Sequence, residues 1–125
     1  MTWQEMSANC LRSAKRLAAA DDYRGSINRA YYSAYCAVTA LLVAKGIQFA
    51  HGWNNPSHDQ LPELVGNNLP LPVNTKRRVR TSLRSLRKAR EDSDYRPGIS
   101  VEREMALDSI RQAISLRKDL GVDDE

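Results

Sequence analysis

Residues 79–95 read VRTSLRSLRKAREDSDY, and this stretch decides how the rest of the chain is arranged. On an α-helix with about 100° between successive residues, one stripe is formed by residues at steps of four, three and four, namely Val79, Leu83, Leu86 and Arg90. Such a stripe faces a protein core. A guanidinium turned toward a core needs carboxylate or carbonyl partners, or an opening into a cleft or interface. Arg90 is therefore the first candidate for a functional residue.

The same helix carries the excess positive charge of the chain. Eight basic residues and no acidic ones lie between Lys76 and Arg90, whereas the whole chain has 19 basic and 15 acidic residues and a formal net charge of +4. A run of this kind is ordinarily a solvated helix face, and it also suits a polyanion such as RNA. The residues beside or behind the apolar stripe, where solvation is expected, are Arg77, Arg80, Arg84, Arg87 and Lys88.

Outward from this helix, the segment from about Asp22 to Lys45 is predicted to be the central helix. It is apolar on nearly every side, which is typical of a helix buried from more than one direction. Its alanines permit close approach of neighbouring helices, and Gly46 is expected to end it. The residues of its broader apolar face are Ile27, Ala30, Tyr31, Ala34, Tyr35, Val38, Leu41 and Leu42.

The remaining segments predict three further helices around this centre. Capping and turn residues predict these helices at Thr2–Ala20, at His58–Val65 with Ser57 as the N-cap, and from Ser100 to Gly121. The basic helix is predicted to begin near Asn74 or Thr75 and to fray near Ser93. No strand pattern is present. The sequence thus predicts an all-α, up-and-down four-helix bundle with one extra short helix, in a single domain over residues 1–125.

The cysteines and the hydropathy of the sequence indicate where in the cell the protein is expected. Cys10 and Cys36 lie in helical patterns, and no secretion signal follows Met1, so we expect reduced thiols in a cytoplasmic protein. The longest apolar stretch, residues 37–44, is too short to span a bilayer.

The sequence predicts neither a bound metal nor a cofactor. His51 and His58 are the only histidines and Asp59 is the lone nearby carboxylate, whereas zinc sites take three or four ligands. No Gly-rich phosphate loop is present. His58 is expected near a helix start, although a histidine can also act as a general acid or base near neutral pH.

Two interpretations of Arg90 stay open. It either clamps Asp92, Asp94 or a buried tyrosine hydroxyl to fix the helix end, or it grips a phosphate, which a planar fork binds better than a point charge does. Tyr95 is either a packing anchor before the Arg96-Pro97-Gly98 turn or a donor in an RNA site.

A longer set of residues resembles a known family. NRAYYSAY at 28–35, Leu41-Leu42, Lys45-Gly46, Ser57-His58 and residues 90–98 are similar to the HEPN superfamily, in particular its small stand-alone prokaryotic branch. The resemblance covers about residues 18–120. It implies a helical bundle that dimerises, with the fourth-helix regions of two subunits facing a shared cleft. Many members are metal-independent RNases, often toxins, or pair with a minimal nucleotidyltransferase as antitoxin.

The signature of those RNases is an arginine followed, after four to six residues, by a histidine. The arginine matches Arg90, and the place of the histidine holds Tyr95. A phenol with a pKa of about 10 does not exchange protons near neutral pH as imidazole does. Some partnered members carry a modifiable tyrosine two residues further on, where this chain has Pro97.

Together these observations predict a dimeric RNA-binding protein of a prokaryotic toxin–antitoxin or defence system, with weak or absent metal-independent endoribonuclease activity. Arg90 and Tyr95 are the residues predicted to do any catalysis, and Arg80, Arg84, Arg87 and Asn28 are those predicted to bind RNA. One alternative is a non-catalytic helical interaction module that partners a minimal nucleotidyltransferase. Another is an active RNase that uses His58 or Tyr95 in place of the motif histidine.

Overall fold

The computed structural model describes residues 1–49 and 54–122, and His51 lies outside these ranges. Within them the chain forms five helices and no strand. The helices are α1 (Trp3–Ala19), α2 (Tyr23–Ala44), α3 (Leu61–Asn68), α4 (Val73–Tyr95) and α5 (Arg103–Leu120). The prediction of an all-α, up-and-down four-helix bundle with one extra short helix is confirmed.

Helix α2 is the centre of the bundle, as its apolar pattern predicts. It packs against each of the other four helices, and α4 also packs against α3 and α5. Small side chains let α1 approach α2 closely: the Ser7 hydroxyl donates to the Ser33 carbonyl at 2.7 Å, and the Ser33 hydroxyl donates back to the Ser7 carbonyl at 2.9 Å. The reciprocal bonds satisfy two hydroxyls that are fully buried.

Several helix ends follow local signals. Thr2 forms a capping box with Glu5, the Asp22 carboxylate accepts from the Gly25 backbone N–H, and Gly121 ends α5 in the left-handed region with φ of +72°. Cys10 and Cys36 are both free thiols. None of the helices in the described ranges combines the length and apolar character needed to cross a bilayer.

Several predicted helix ends are displaced. Helix α3 begins at Leu61 rather than His58, and α5 begins after Glu102 rather than Ser100. Helix α4 begins directly after Pro72, whose fixed φ suits a helix start, and it continues to Tyr95 without fraying at Ser93. Ion pairs between residues four apart account for the longer end, because they bridge its last turns at Lys88–Asp92, Arg90–Asp94 and Arg96–Asp92.

Candidate functional site

The stripe of α4 faces the core as its spacing predicts. Val79, Leu83 and Leu86 are almost completely buried, and Arg90 continues the stripe with 8% of its surface exposed. A guanidinium enclosed to this degree loses most of its hydration, so its contacts decide whether it is structural or available to a ligand.

Three tyrosine rings enclose the Arg90 guanidinium. Its Cζ atom lies 5.3 Å from the ring centroid of Tyr31, 5.6 Å from that of Tyr32 and 5.7 Å from that of Tyr95. These separations are typical of cation–π contacts. The rings hold the cation in place, and ring faces accept no conventional hydrogen bond in the guanidinium plane.

The hydrogen bonds of Arg90 are few for a group with five donors. Its Nη1 donates to the Tyr32 hydroxyl at a long 3.4 Å and lies 3.8 Å from the Asp94 carboxylate. Its Nε is buried and has no partner among the described residues. An enclosed cation with an unmet donor costs free energy until an acceptor reaches it.

Asn28 of α2 organises the carboxylate beside this cation. The Asn28 amide donates to Asp94 Oδ2 at 2.9 Å, while its carbonyl oxygen accepts from Arg29 Nε and Nη2 at 2.8 and 2.6 Å. Arg29 in turn lies over the Tyr32 ring, 5.4 Å from its centroid. Asn28 is thus linked to Arg90 through Asp94, and the Tyr95 ring lies over the same guanidinium.

Tyr95 is not a packing anchor within this chain, because 69% of its surface is exposed. Its ring nevertheless lies against Arg90. The Arg24 guanidinium secures the turn that follows, donating to the Ser93 carbonyl at 2.6 Å and to the Ile99 carbonyl. An exposed aromatic ring on a secured backbone, next to a buried cation, resembles the stacking platforms that bind single-stranded bases.

His58 belongs to the same cluster; the sequence offers it only as an alternative to the motif histidine and does not predict its contact with the tyrosines. Its Nδ1 lies 2.5 Å from the Tyr31 hydroxyl, and its ring centroid is 4.9 Å from that of Tyr35 and 5.8 Å from that of Tyr32. The only sequence signal was Ser57-His58 following a tyrosine-rich helix. The fold, rather than the sequence spacing, brings this imidazole to the tyrosines.

Burial sets the protonation of this pair. It lowers the pKa of His58, and the positive charges of Arg90 and Arg87 lower it further, so the imidazole is neutral at pH 7. Burial also raises the pKa of Tyr31, which keeps its phenolic proton. A neutral imidazole is the base form of histidine, and here its Nδ1 accepts from the protonated Tyr31 hydroxyl, so the pair is a structural hydrogen bond in this state.

The three arginines predicted to steer RNA have different surroundings. Arg84 is exposed and forms no ion pair with a described residue. Arg87 is half-buried, pairing with Asp59 at 2.6 Å and with Glu91 at 3.4 Å. Arg80 is half-buried against Gly66 of α3, and its buried Nε has no partner among the described residues. The expectation that all three are solvated is wrong for Arg80 and Arg87, since α3 covers that side of α4.

The acidic residues after Arg90 are mostly engaged elsewhere. Asp92 pairs with Lys88 at 3.0 Å and with Arg96 at 3.1 Å. Only Asp94 lies close to the Arg90 guanidinium, so neutralisation of the cation by its neighbours is partial. Within residues 1–49 and 54–122, no three His, Cys, Asp or Glu side chains form a group that could hold a metal ion.

Comparisons with known proteins agree with this architecture. The family model of the HEPN domain matches residues 1–121. A UPF0332 protein of Thermotoga maritima is 38% identical over 48 residues, which cover 38% of this chain and 36% of that protein. The chain thus spans about a third of the length of this curated relative. No solved structure matches the chain significantly.

Proposed function

Because the chain belongs to the HEPN domain family, we propose that it is an RNA-binding protein whose buried Arg90 holds a backbone phosphate. The single observation that carries this proposal is the Arg90 guanidinium itself. It is enclosed by three tyrosines, yet its Nε lacks a hydrogen-bond partner among the described residues. A phosphate oxygen would supply the missing acceptor with a charge-assisted bond.

The surroundings of Arg90 favour single-stranded RNA over a duplex. The exposed ring of Tyr95 offers a face on which one unpaired base can stack while its phosphate meets Arg90. The Asn28 amide shares Asp94 Oδ2 with the Arg90 guanidinium, which leaves the Arg90–Asp94 contact long at 3.8 Å. Arg84, exposed on the same helix, attracts the neighbouring backbone.

Two copies of the chain form the working unit in this proposal. The HEPN resemblance implies a dimer with a shared cleft at the fourth helix. Tyr95 lies at the end of that helix, so the exposed rings of the two copies would both open onto the shared cleft, where bases can stack. We place the dimer in a prokaryotic toxin–antitoxin or defence system, with RNA as its target.

Binding, rather than cleavage, is the main activity that we propose. Tyr95 occupies the place of the motif histidine, so this position lacks the imidazole that the RNases of the family use. His58 is the one imidazole among the described residues, and its Nδ1 is occupied by Tyr31. Any cleavage would be metal-independent and would run through His58 and Arg90.

The test is binding of a fluorescent single-stranded RNA and of its duplex by the purified protein, followed by anisotropy. We expect tighter binding of the single strand and loss of that binding in Arg90→Ala. The same RNA is then incubated in chelator with both proteins and resolved on a gel. Equal binding of RNA by wild type and Arg90→Ala would remove Arg90 from the function.

A second candidate is a non-catalytic module that docks a minimal nucleotidyltransferase. The observation in its favour is Asp94, which lies 3.8 Å from Arg90 and offsets part of its charge. The exposed Tyr95 would then bind protein rather than a base. Failure to bind RNA, together with co-purification of a small nucleotidyltransferase encoded next to this gene, would favour this candidate.

A further inference from the structure

A cavity of about 140 Å³ lies between the start of α3 and the middle of α4. It adjoins the Arg90 cluster and shares Tyr31 and His58 with it. Its lining residues are Tyr31, His58, Asp59, Leu61, Pro62, Leu83, Arg84 and Arg87. The volume is less than half of the roughly 300 Å³ at which drug-sized pockets begin, so it suits one planar ring system.

The lining of the cavity combines apolar side chains with hydrogen-bonding groups. Leu61, Pro62 and Leu83 supply apolar surface against which a flat ring can lie. Asp59 is held by Arg87 through its Oδ1 at 2.6 Å, and a carboxylate retains lone pairs for further bonds. Arg84 also lines the cavity and is exposed, so the lining offers both an acceptor and a double donor.

Among the nucleobases, guanine matches this pair of groups. Its O6 and N7 accept two parallel bonds from an arginine fork, and its N1–H and amino group donate to a carboxylate. Adenine presents an amino group where guanine presents O6, so it would set a donor against the arginine. We propose that this cavity selects a guanine base of the bound RNA, with Arg84 and Asp59 as the reading residues; this inference rests on the proposed RNA-binding function.

The position of the cavity relative to Arg90 supports a joint site. Tyr31 lines the cavity and also stacks against the Arg90 guanidinium at 5.3 Å. The phosphate site and the base site are thus separated by one tyrosine ring. A single strand could place a phosphate at Arg90 and a nearby base in the cavity.

The experiment compares two short oligouridine RNAs, one with a central guanine and one with a central adenine. We expect the wild-type protein to bind the guanine oligonucleotide about tenfold more tightly, as for one bidentate base contact. Arg84→Lys keeps the charge but loses the fork, and Asp59→Asn loses the carboxylate. Each variant should bring the two dissociation constants close together, mainly by weakening the guanine complex.

The matched controls are Arg78→Lys and Asp119→Asn, which make the same changes in an ion pair of 3.1 Å between α4 and α5, away from the cavity. They should keep the wild-type preference. Equal affinity of wild type for both RNAs would overturn the base pocket and leave the phosphate site standing. Equal weakening of both RNAs by Arg84→Lys would overturn it too, since that is the signature of a phosphate contact. Absence of any RNA binding would overturn both proposals.

Discussion

The Arg90→Met substitution tests whether Arg90 stabilises the fold or binds RNA. Methionine is unbranched, fills most of the same space and makes favourable contacts with aromatic rings. The change removes three cation–π contacts, a long hydrogen bond and an ion pair of 3.8 Å. It also removes a buried charge whose Nε has no partner among the described residues.

The effects of this change on the folded protein partly cancel. Cation–π contacts contribute about 0.5–2 kcal/mol each, whereas an unmet buried donor costs about 1–3 kcal/mol. Asp94 loses its cation but keeps its bond from the Asn28 amide at 2.9 Å, so it is not left without a partner. We therefore expect Arg90→Met to lower the free energy of unfolding by less than about 3 kcal/mol.

RNA binding should respond quite differently. A hydrogen bond to a charged group contributes about 1.5–3 kcal/mol, and 1.4 kcal/mol corresponds to about tenfold in affinity. Arg90→Met should thus weaken binding of single-stranded RNA by at least about tenfold. Urea denaturation followed by circular dichroism gives the stability, and fluorescence anisotropy at low salt gives the affinity.

Arg90→Lys is the control that retains charge and loses the planar fork, and its affinity should fall between those of wild type and Arg90→Met. A large loss of stability in Arg90→Met, above about 3 kcal/mol, combined with unchanged RNA affinity, would refute the reasoning. Arg90 would then be a tie between α4 and the tyrosines of α2.

Three further predictions concern stability. Leu86→Ala should lower the free energy of unfolding by about 2–5 kcal/mol, because Leu86 is fully buried. Arg84→Ala, at an exposed site, should change it by no more than about 0.5 kcal/mol. A larger loss for Arg84→Ala than for Leu86→Ala in urea denaturation would contradict the assignment of the buried and exposed faces of α4. Gly121→Ala should cost about 1–2 kcal/mol because φ is +72° there, and an unchanged melting temperature would count against it. The pKa of His58 is lowered from its ordinary value of 6.5, so the unfolded chain binds that proton more readily and the wild-type stability should fall as pH drops below about 6.5. His58→Gln should lose that part of the slope, and identical pH profiles would show that the histidine does not contribute.

The fold can be predicted from the sequence because the helix-capping residues and the helical spacing of apolar residues indicate the same structure. The stripe of α4 and the apolar surface of α2 are both found buried, since each has a period that only a helix can satisfy. Helix starts were harder to predict. Pro72 opens α4 without a side-chain cap, and α3 starts after a turn that begins at His58, so the capping residues expected there do not act as caps.

The candidate site was predictable only where one helix carries it. Periodicity placed Arg90 toward the core, and it is there. The contact of His58 with Tyr31 joins residues 27 positions apart, and the Arg87–Asp59 pair joins residues 28 apart. No pattern within a helix encodes such pairs, because they depend on how the connection after α2 and helix α3 fold over α4.

The most direct measurement of the central claim is the salt dependence of single-stranded RNA affinity for wild type and Arg90→Met. Each phosphate contact on a single strand contributes about 0.7 to the slope of log affinity against log salt. If Arg90 holds one phosphate, the slope of the variant should be smaller in magnitude by about that amount. Identical slopes for the two proteins would contradict the assignment of Arg90 as a phosphate ligand.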